Sequence, residues 1–380
     1  EAERPLLMPG GGVISADAGA ELVELAELLQ VPVLPTLMGW GAIPNDHPLY
    51  VGLAGIQTQT RAGNRALLES DLVLAIGARF AERHTGELGV YRGERRFVHI
   101  DVEPTQIGRV FAPDLGIAAD ARLALQALVA AARRRAAAGC RPTTGWSAQV
   151  PQRRRELARR TDYDDMPIKA ERVFQEINAA FDRDTVFVTA IGLYQIWSGQ
   201  FQEVYRPRHY LICGQAGPLG WEVPACIGAK LGQPDRTVVG VVCDYSFQLL
   251  LEDVAVAAQY DVPLVLVMIN NGYLGLIRQS EIKYEMNYAV DIAYDDSYGI
   301  DHVQVVEAMG GIGRRVERPE EIAEALHWAQ DVAHERRRPV LVEVLIEREQ
   351  NAAMGPALDA VVEFQDAGRA SGEVPVTVGV

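Results

Sequence analysis

The sequence predicts an α/β protein of two doubly wound parallel-sheet domains, and three observations carry that expectation. Two short β-branched apolar runs, residues 237–243 and 263–269, flank a helix-like stretch at 248–260, so they read as buried parallel strands of a βαβ unit. The chain opens on a similar alternation: an apolar run at 6–8, the triplet Gly10-Gly11-Gly12, an Ala/Leu/Glu-rich helix over 16–29, and a second strand at 31–34. Between these halves, residues 139–144 form a turn-rich break.

Taken in order, strands at 71–77 and 96–101 continue the first domain, and an alanine-rich helix over 121–138 closes it. Residues 146–160 are charged and read as a helical linker. The expected division is therefore a first domain at 1–140, a linker at 141–165, a second domain at 166–350, and a tail at 351–380 that frays after Asp366. With 48% hydrophobic and 23% charged residues, the 380-residue chain has enough apolar material for two cores. A formal net charge of −15 argues against a nucleic-acid partner, and an anionic substrate would need a local positive focus. No apolar run approaches the roughly 20 residues of a membrane span. The four cysteines lie far apart without a C-x-x-C pair, and read as reduced core residues of a cytoplasmic protein. Residue 1 is Glu, so the visible start says nothing about a leader.

Asp244 and Asn271 carry the chemistry. Each stands where an apolar run ends, and in open α/β sheets ligands gather at the carboxyl ends of strands. A carboxylate and an amide are hard oxygen donors suited to Mg²⁺, which keeps few protein ligands and leans on substrate phosphates. The same two residue types also serve as plain turn caps. The glycine triplet is weaker evidence, because Ser15 stands where G-x-G-x-x-G needs its last glycine. His84, His99 and His302 show no ligand spacing and read as structural.

Asp244-Tyr245-Ser246 followed by Asn270-Asn271 resembles the metal–diphosphate motif of thiamine-diphosphate enzymes, with Cys243 and Tyr245 in place of its two glycines. Residues 35–41, 83–86, 103–109, 214–221 and 270–280 extend the likeness over nearly the whole chain, to the acetolactate-synthase group. Leu219, where acetolactate synthases carry Met, points within that group to the glyoxylate carboligases.

The resemblance implies thiamine diphosphate, Mg²⁺ and a structural FAD as cofactors. It implies condensation of two glyoxylates to tartronate semialdehyde with loss of CO2, in a homo-oligomer (dimer or tetramer). Asp244 and Asn271 would hold the metal by side chains and Tyr273 by its carbonyl. Gly192, Leu193, Tyr194, Gly217, Tyr245 and Ser246 would meet the cofactor. Leu219 would be the wedge that bends it, and Ile191, Leu274, Leu276 and Ile277 an apolar wall that disfavours a carboxylate. Arg83 would pair with the substrate carboxylate through its planar fork. FAD would meet Gly10, Gly11, Gly12, Thr36, Leu37, Gly55, Ile56, Gly77, Arg79, Asp101, Asp120 and Ala121, although an Asp at a strand end is also a common helix cap. The likeness begins at the group's second domain, so the chain is expected to lack the pyrimidine-binding domain and to be inactive alone, with an exposed apolar surface. The loop before Tyr298 is expected to be shortened at 293–299. Alternative readings are another 2-keto-acid ligase or decarboxylase of this group, a non-catalytic FAD-binding remnant, and a nicotinamide oxidoreductase, which the broken glycine fingerprint disfavours.

Overall fold

A computed structural model describes residues 2–140, 142, 145–214, 216–286 and 298–364. Two all-parallel sheets organise it. The first has four strands in the order β1-β2-β3-β4: β1 Pro5–Pro9, β2 Leu72–Ile76, β3 Arg96–Asp101 and β4 Leu115–Ala118. The second has six, β5 Val186–Thr189, β6 Tyr210–Ile212, β7 Val238–Cys243, β8 Leu264–Asn270, β9 Ile312–Val316 and β10 Pro339–Leu345, in the order β6-β5-β7-β8-β10-β9. Every residue of β8 is buried, as expected of a strand covered by helices on both faces. β7 and β8 pair in register from Val239↔Val265 to Cys243↔Ile269, so residues 244 and 271 leave neighbouring strands on the same edge.

Several local expectations need correction. The helix expected over 16–29 is two helices, Gly11–Ser15 and Gly19–Leu29, because Asp17 turns left-handed (φ 51°) between them. The glycine triplet thus enters a helical turn. The strand expected at 31–34 shrinks to a single bridging residue, Val33, since Pro32 has no N–H to give a ladder. The helix expected over 248–260 is split into Asp244–Leu249 and Asp253–Gln259. The break lies where Leu249 and Leu250 crowd Gly220, each 3.1 Å from where its Cβ would sit.

In the linker only Val150–Glu156 is α-helical, after a 3-10 turn at Ser147–Gln149. The chain then leaves the helix so that buried Arg159 can bond the Gln59 carbonyl (2.9 Å) and Glu363 (2.7 Å). Residues 351–364 pack back on the first sheet's half. Gly355 N–H donates to Ile56 O (3.1 Å), Glu87 N–H donates to Pro356 O (3.0 Å), and Leu358 is buried. The expected fraying after Asp366 and the shortened loop at 293–299, apart from its last two residues, lie outside the described residues. Of the cysteines only Cys226 is fully buried; Cys140 is exposed, which corrects the reading of all four as core. Among the described residues no helix is long and apolar enough to cross a membrane.

Candidate active site

The second sheet reverses its winding between β5 and β7, because β5 leads outward to β6 and the chain then crosses back to β7. Ligands of open α/β sheets sit at such a reversal, beyond the carboxyl ends of the strands. A cavity of about 240 Å³ lies there. From β5 come Ile191, Gly192, Leu193 and Tyr194; from β7, Cys243; from β8, Asn271, Tyr273, Leu274, Leu276 and Ile277. Gly217 and Leu219 close it from the loop after β6. The apolar residues singled out in the sequence thus meet in one cavity, although Ile277 remains 47% exposed.

Gly192 (φ 154°) is the N-cap of the helix Leu193–Phe201, so its backbone conformation, which few L side chains adopt, aims that helix start at the cavity. Gly275 opens the helix Gly275–Lys283; a Cβ there would stand 2.7 Å from both Asn271 Nδ2 and Leu193 Cδ1.

The turn after β8 is tied to Asp244. Gly272 N–H donates to Asp244 Oδ2 (2.8 Å) and to Asn270 Oδ1 (2.9 Å), and Tyr273 N–H donates to Asn271 Oδ1 (3.3 Å). Asn271 and Tyr273 line the cavity, and Asp244 stands directly behind Cys243, off the lining itself. Asp244 is fully buried, and its Oδ1 has no hydrogen-bond partner. Burial pushes its carboxyl up to about 7, even though the Tyr245 N–H, His302 and the Gly272 N–H pull the other way. A buried carboxylate oxygen without a donor is costly, and a proton or a cation removes the cost. Among the described residues no group of three or more His, Cys, Asp or Glu is assembled, so the donors available here are one carboxylate, one amide and backbone carbonyls. That is the donor set of a hard cation that shares its shell with phosphate oxygens.

Cys243 and Tyr245, where glycines were expected, both have negative φ, so neither position demands glycine's backbone freedom. Cys243 Sγ instead caps its helix, accepting from Ser246 N–H at 3.4 Å. Two of the residues expected to meet the cofactor lie off the cavity lining. Tyr245 and Ser246 do not line the cavity, and the Ser246 hydroxyl is committed to Glu222 (2.9 Å) and to Gly220 N–H (2.7 Å). Arg83 is likewise not part of the lining; its Nε donates to Gln57 Oε1 (3.0 Å) at the exposed side. The histidines are held internally: His84 on Tyr91 (2.8 Å), His99 on the Ala78 carbonyl (2.9 Å), His302 on Glu343 (2.8 Å).

Sequence reasoning missed Trp197, one helical turn beyond Leu193 on the same face, and buried Glu222. The i, i+4 spacing could have found Trp197. Nothing local marks Glu222.

The twelve positions expected to meet FAD gather at or near the carboxyl edge of the first sheet. Gly10 and Gly12 pack on Gly77 so closely that a Cβ on either would stand 2.2 or 2.7 Å from the Gly77 backbone. Thr36 N–H donates to Pro9 O (3.0 Å), and Leu37 opens a 3-10 turn against the glycines. Asp101 Oδ1 accepts from Glu103 N–H (2.9 Å), and Asp120 caps the helix Ala121–Ala137 through Arg122 and Leu123 N–H (2.9 and 3.0 Å). Gly55 and Ile56 are bonded to Asn64 and Gly355, and Arg79 follows β2 on the same edge. A larger, open groove of about 760 Å³ lies at the amino ends of β1–β3, lined by charges that largely pair with one another, such as Arg153 with Glu69. Parallel sheets do not put their chemistry at that edge, so the smaller cavity is the functional candidate.

Residues 1–128 match the family model described as the thiamine pyrophosphate enzyme central domain, and residues 190–344 the C-terminal TPP binding domain of the same enzymes. The chain is 49% identical to a glyoxylate carboligase of Escherichia coli O157:H7, over 99% of the chain and 65% of that protein. It is 33% identical to a probable acetolactate synthase large subunit of Methanocaldococcus jannaschii, over 94% of the chain and 60% of that protein. With an acetolactate synthase of Mycobacterium avium it shares 33% identity, over 91% of the chain and 55% of the relative. The chain therefore spans less than two thirds of the length of these curated relatives. The two domain matches, joined by this near-complete alignment, establish that the chain belongs to the thiamine pyrophosphate enzymes.

Proposed function

We propose that this chain supplies the central and cofactor-binding domains of a thiamine-diphosphate-dependent glyoxylate carboligase, which condenses two glyoxylates to tartronate semialdehyde and releases CO2. The observation that carries this is the partnerless, buried Asp244 Oδ1 beside Asn271 at the rim of an apolar cavity, in a chain 49% identical to a glyoxylate carboligase. Residues 1–140 are read as the central domain and 166–350 as the diphosphate-binding domain.

In this reading Asp244, Asn271 and the Tyr273 carbonyl would hold Mg²⁺ for the cofactor's diphosphate, while N–H groups at the start of the helix Leu193–Phe201 would donate to its oxygens. Thiamine diphosphate, when bound, supplies the electron sink for decarboxylation and carbon–carbon bond formation. The protein's own contribution is shape and dryness. Leu219 presses into the cavity from its glycine-flanked loop, and Ile191, Leu274 and Leu276 exclude water, which raises the cost of a substrate carboxylate and favours its loss. Arg83 stays a candidate for the second substrate's carboxylate, approached from outside the cavity.

FAD is proposed at the first sheet's carboxyl edge, as a structural group. Homo-oligomerisation is supported by the exposed Ile277 on the cavity lining and the exposed Ile282, Tyr284 and Met286 further along the chain, and a cytoplasmic location is proposed with it.

The test is calorimetric titration of the protein that contains this chain with thiamine diphosphate in Mg²⁺. Saturable, Mg²⁺-dependent binding is expected, and its absence refutes the assignment of the cavity. For the protein that contains this chain, faster CO2 release from glyoxylate than from pyruvate is expected; the reverse order would make it a different ligase of the same group.

A further inference from the structure

Glu222 is the first residue of the helix Glu222–Gly232, two positions past the Gly217–Gly220 loop. It is 1% exposed and forms no ion pair with Lys or Arg among the described residues. Its carboxylate is held by two hydroxyls, with the backbone N–H groups of Gly220 and Glu222 itself beside it. The Tyr194 hydroxyl donates to Oε1, and the Ser246 hydroxyl donates to Oε2 at 2.9 Å. Ser246 Oγ in turn accepts the Gly220 N–H at 2.7 Å.

Those partners come from three separate segments around the cavity, of which Tyr194 lies on the lining itself. Tyr194 lines it from the helix after β5. Gly220 ends the loop that presents Leu219. Ser246 lies two residues beyond Asp244 in the helix after β7. A carboxylate buried without a cation is expensive, so packing alone does not account for a glutamate here. What it adds is a fixed distance between Leu219's loop, Tyr194 and the turn that carries Asp244. Burial raises its carboxyl's proton affinity, against the pull of the Tyr194 and Ser246 hydroxyls and of the Glu222 and Gly220 N–H groups.

We propose that Glu222 is a positioning residue for thiamine diphosphate: through Tyr194, Ser246 and Gly220 it sets the cavity's width and the placement of Leu219 relative to Asp244. The assignment rests on the cavity being the cofactor site. It makes Ser246 a member of this tie instead of a diphosphate contact. Removing a buried group that orients cofactor-binding residues typically costs about 10–100-fold in affinity.

The test is calorimetric titration of the 380-residue chain with thiamine diphosphate in saturating Mg²⁺, alongside metal-free thermal midpoints. Glu222→Ala is expected to weaken binding by about tenfold or more. Glu222→Gln, which keeps the shape and one acceptor oxygen, should recover most of the loss. The double variant E222A/S246A should bind no worse than E222A, because both changes remove the same bond. Should E222A fail to fold, Tyr194→Phe takes its place, with a several-fold loss expected at an unchanged thermal midpoint. Binding by E222A, or by Y194F in its stead, within twofold of the unaltered chain would overturn the proposal. So would losses that add in the double variant, or a loss that tracks the thermal midpoint and is not rescued by Gln. Failure of the unaltered chain itself to bind would sink the cofactor reading, and this assignment with it.

Discussion

The carboxyl edges of the two sheets are built from the same parts and end differently. On the first sheet every aspartate at the edge is spent within the protein: Asp101 on the Glu103 amide, Asp120 on two amides of the helix it starts. Its glycines are explained by chains crossing almost in contact, Gly10 and Gly12 against Gly77. On the second sheet Asp244 keeps one buried oxygen with no partner, next to an apolar cavity. The contrast teaches a rule for reading such edges. A polar group already satisfied has a structural account without any ligand, whereas a buried carboxylate oxygen left unsatisfied at a cavity calls for a proton, a water or a ligand to account for it.

The sharpest way to break this contrast is Asp244→Asn, which keeps an oxygen for the Gly272 N–H and removes the charge. Affinity for thiamine diphosphate with Mg²⁺ should fall on the order of 100-fold or more by calorimetry. The metal-free chain should be no less stable, since a buried unpaired carboxyl has been removed. An unchanged affinity would leave the two edges alike. The pH dependence follows from the Asp244 carboxyl standing at about 7, above the 3.8 of an ordinary aspartate. Protons compete with the cation, so Mg²⁺ affinity should drop about tenfold per pH unit below 7 and level off above it. In the metal-free chain the sign is opposite. The folded state holds this proton more tightly than the unfolded state, so the stability it contributes is complete below about pH 4 and is lost as pH rises through 7. The D244N chain should lack both slopes.

Gly77→Ala, and likewise Gly12→Ala, test the other side. Each puts a methyl group into a backbone 2.5–2.7 Å away, and Gly77 also has φ 61°, so a loss of about 3 kcal/mol is expected in denaturant melts without any flavin present. A stable variant that loses only flavin would show these glycines to be a nucleotide cradle instead. The smallest effect is Asp120→Ala. Loss of its two cap bonds should cost about 1 kcal/mol. Flavin retention should fall as well if the proposed FAD site is right, and stay constant if Asp120 is a cap alone.

Much of this was legible before any coordinates. The βαβ unit around residues 237–269 is visible because buried parallel strands are short and uniformly apolar, and its pairing follows in the Cys243↔Ile269 register. The residues that line the cavity could be named because each follows a strand or sits in a glycine-flanked loop, and those are the positions that reach a carboxyl edge. For Arg83 and Ser246 the sequence did not show which protein groups they bond. Residue type announces a capacity to bind, but the partner that uses up that capacity, Gln57 or Glu222, is far away in the chain. The split of the helix after Asp244 was hidden for the same reason, since Gly220 crowds it from 30 positions upstream of Leu250.

By itself the sequence determined the parallel α/β architecture, the pairing of Asp244 with Asn271 across neighbouring strands, and the kinship with thiamine pyrophosphate enzymes, since periodicity, strand-end chemistry and long shared words are local properties of a chain. Tertiary structure alone decided which polar groups are consumed and which are left waiting. Satisfaction of a buried hydrogen bond depends on a partner's position in space, and no local pattern encodes that. The free oxygen of Asp244 and the three-way tie at Glu222 both belong to that second category.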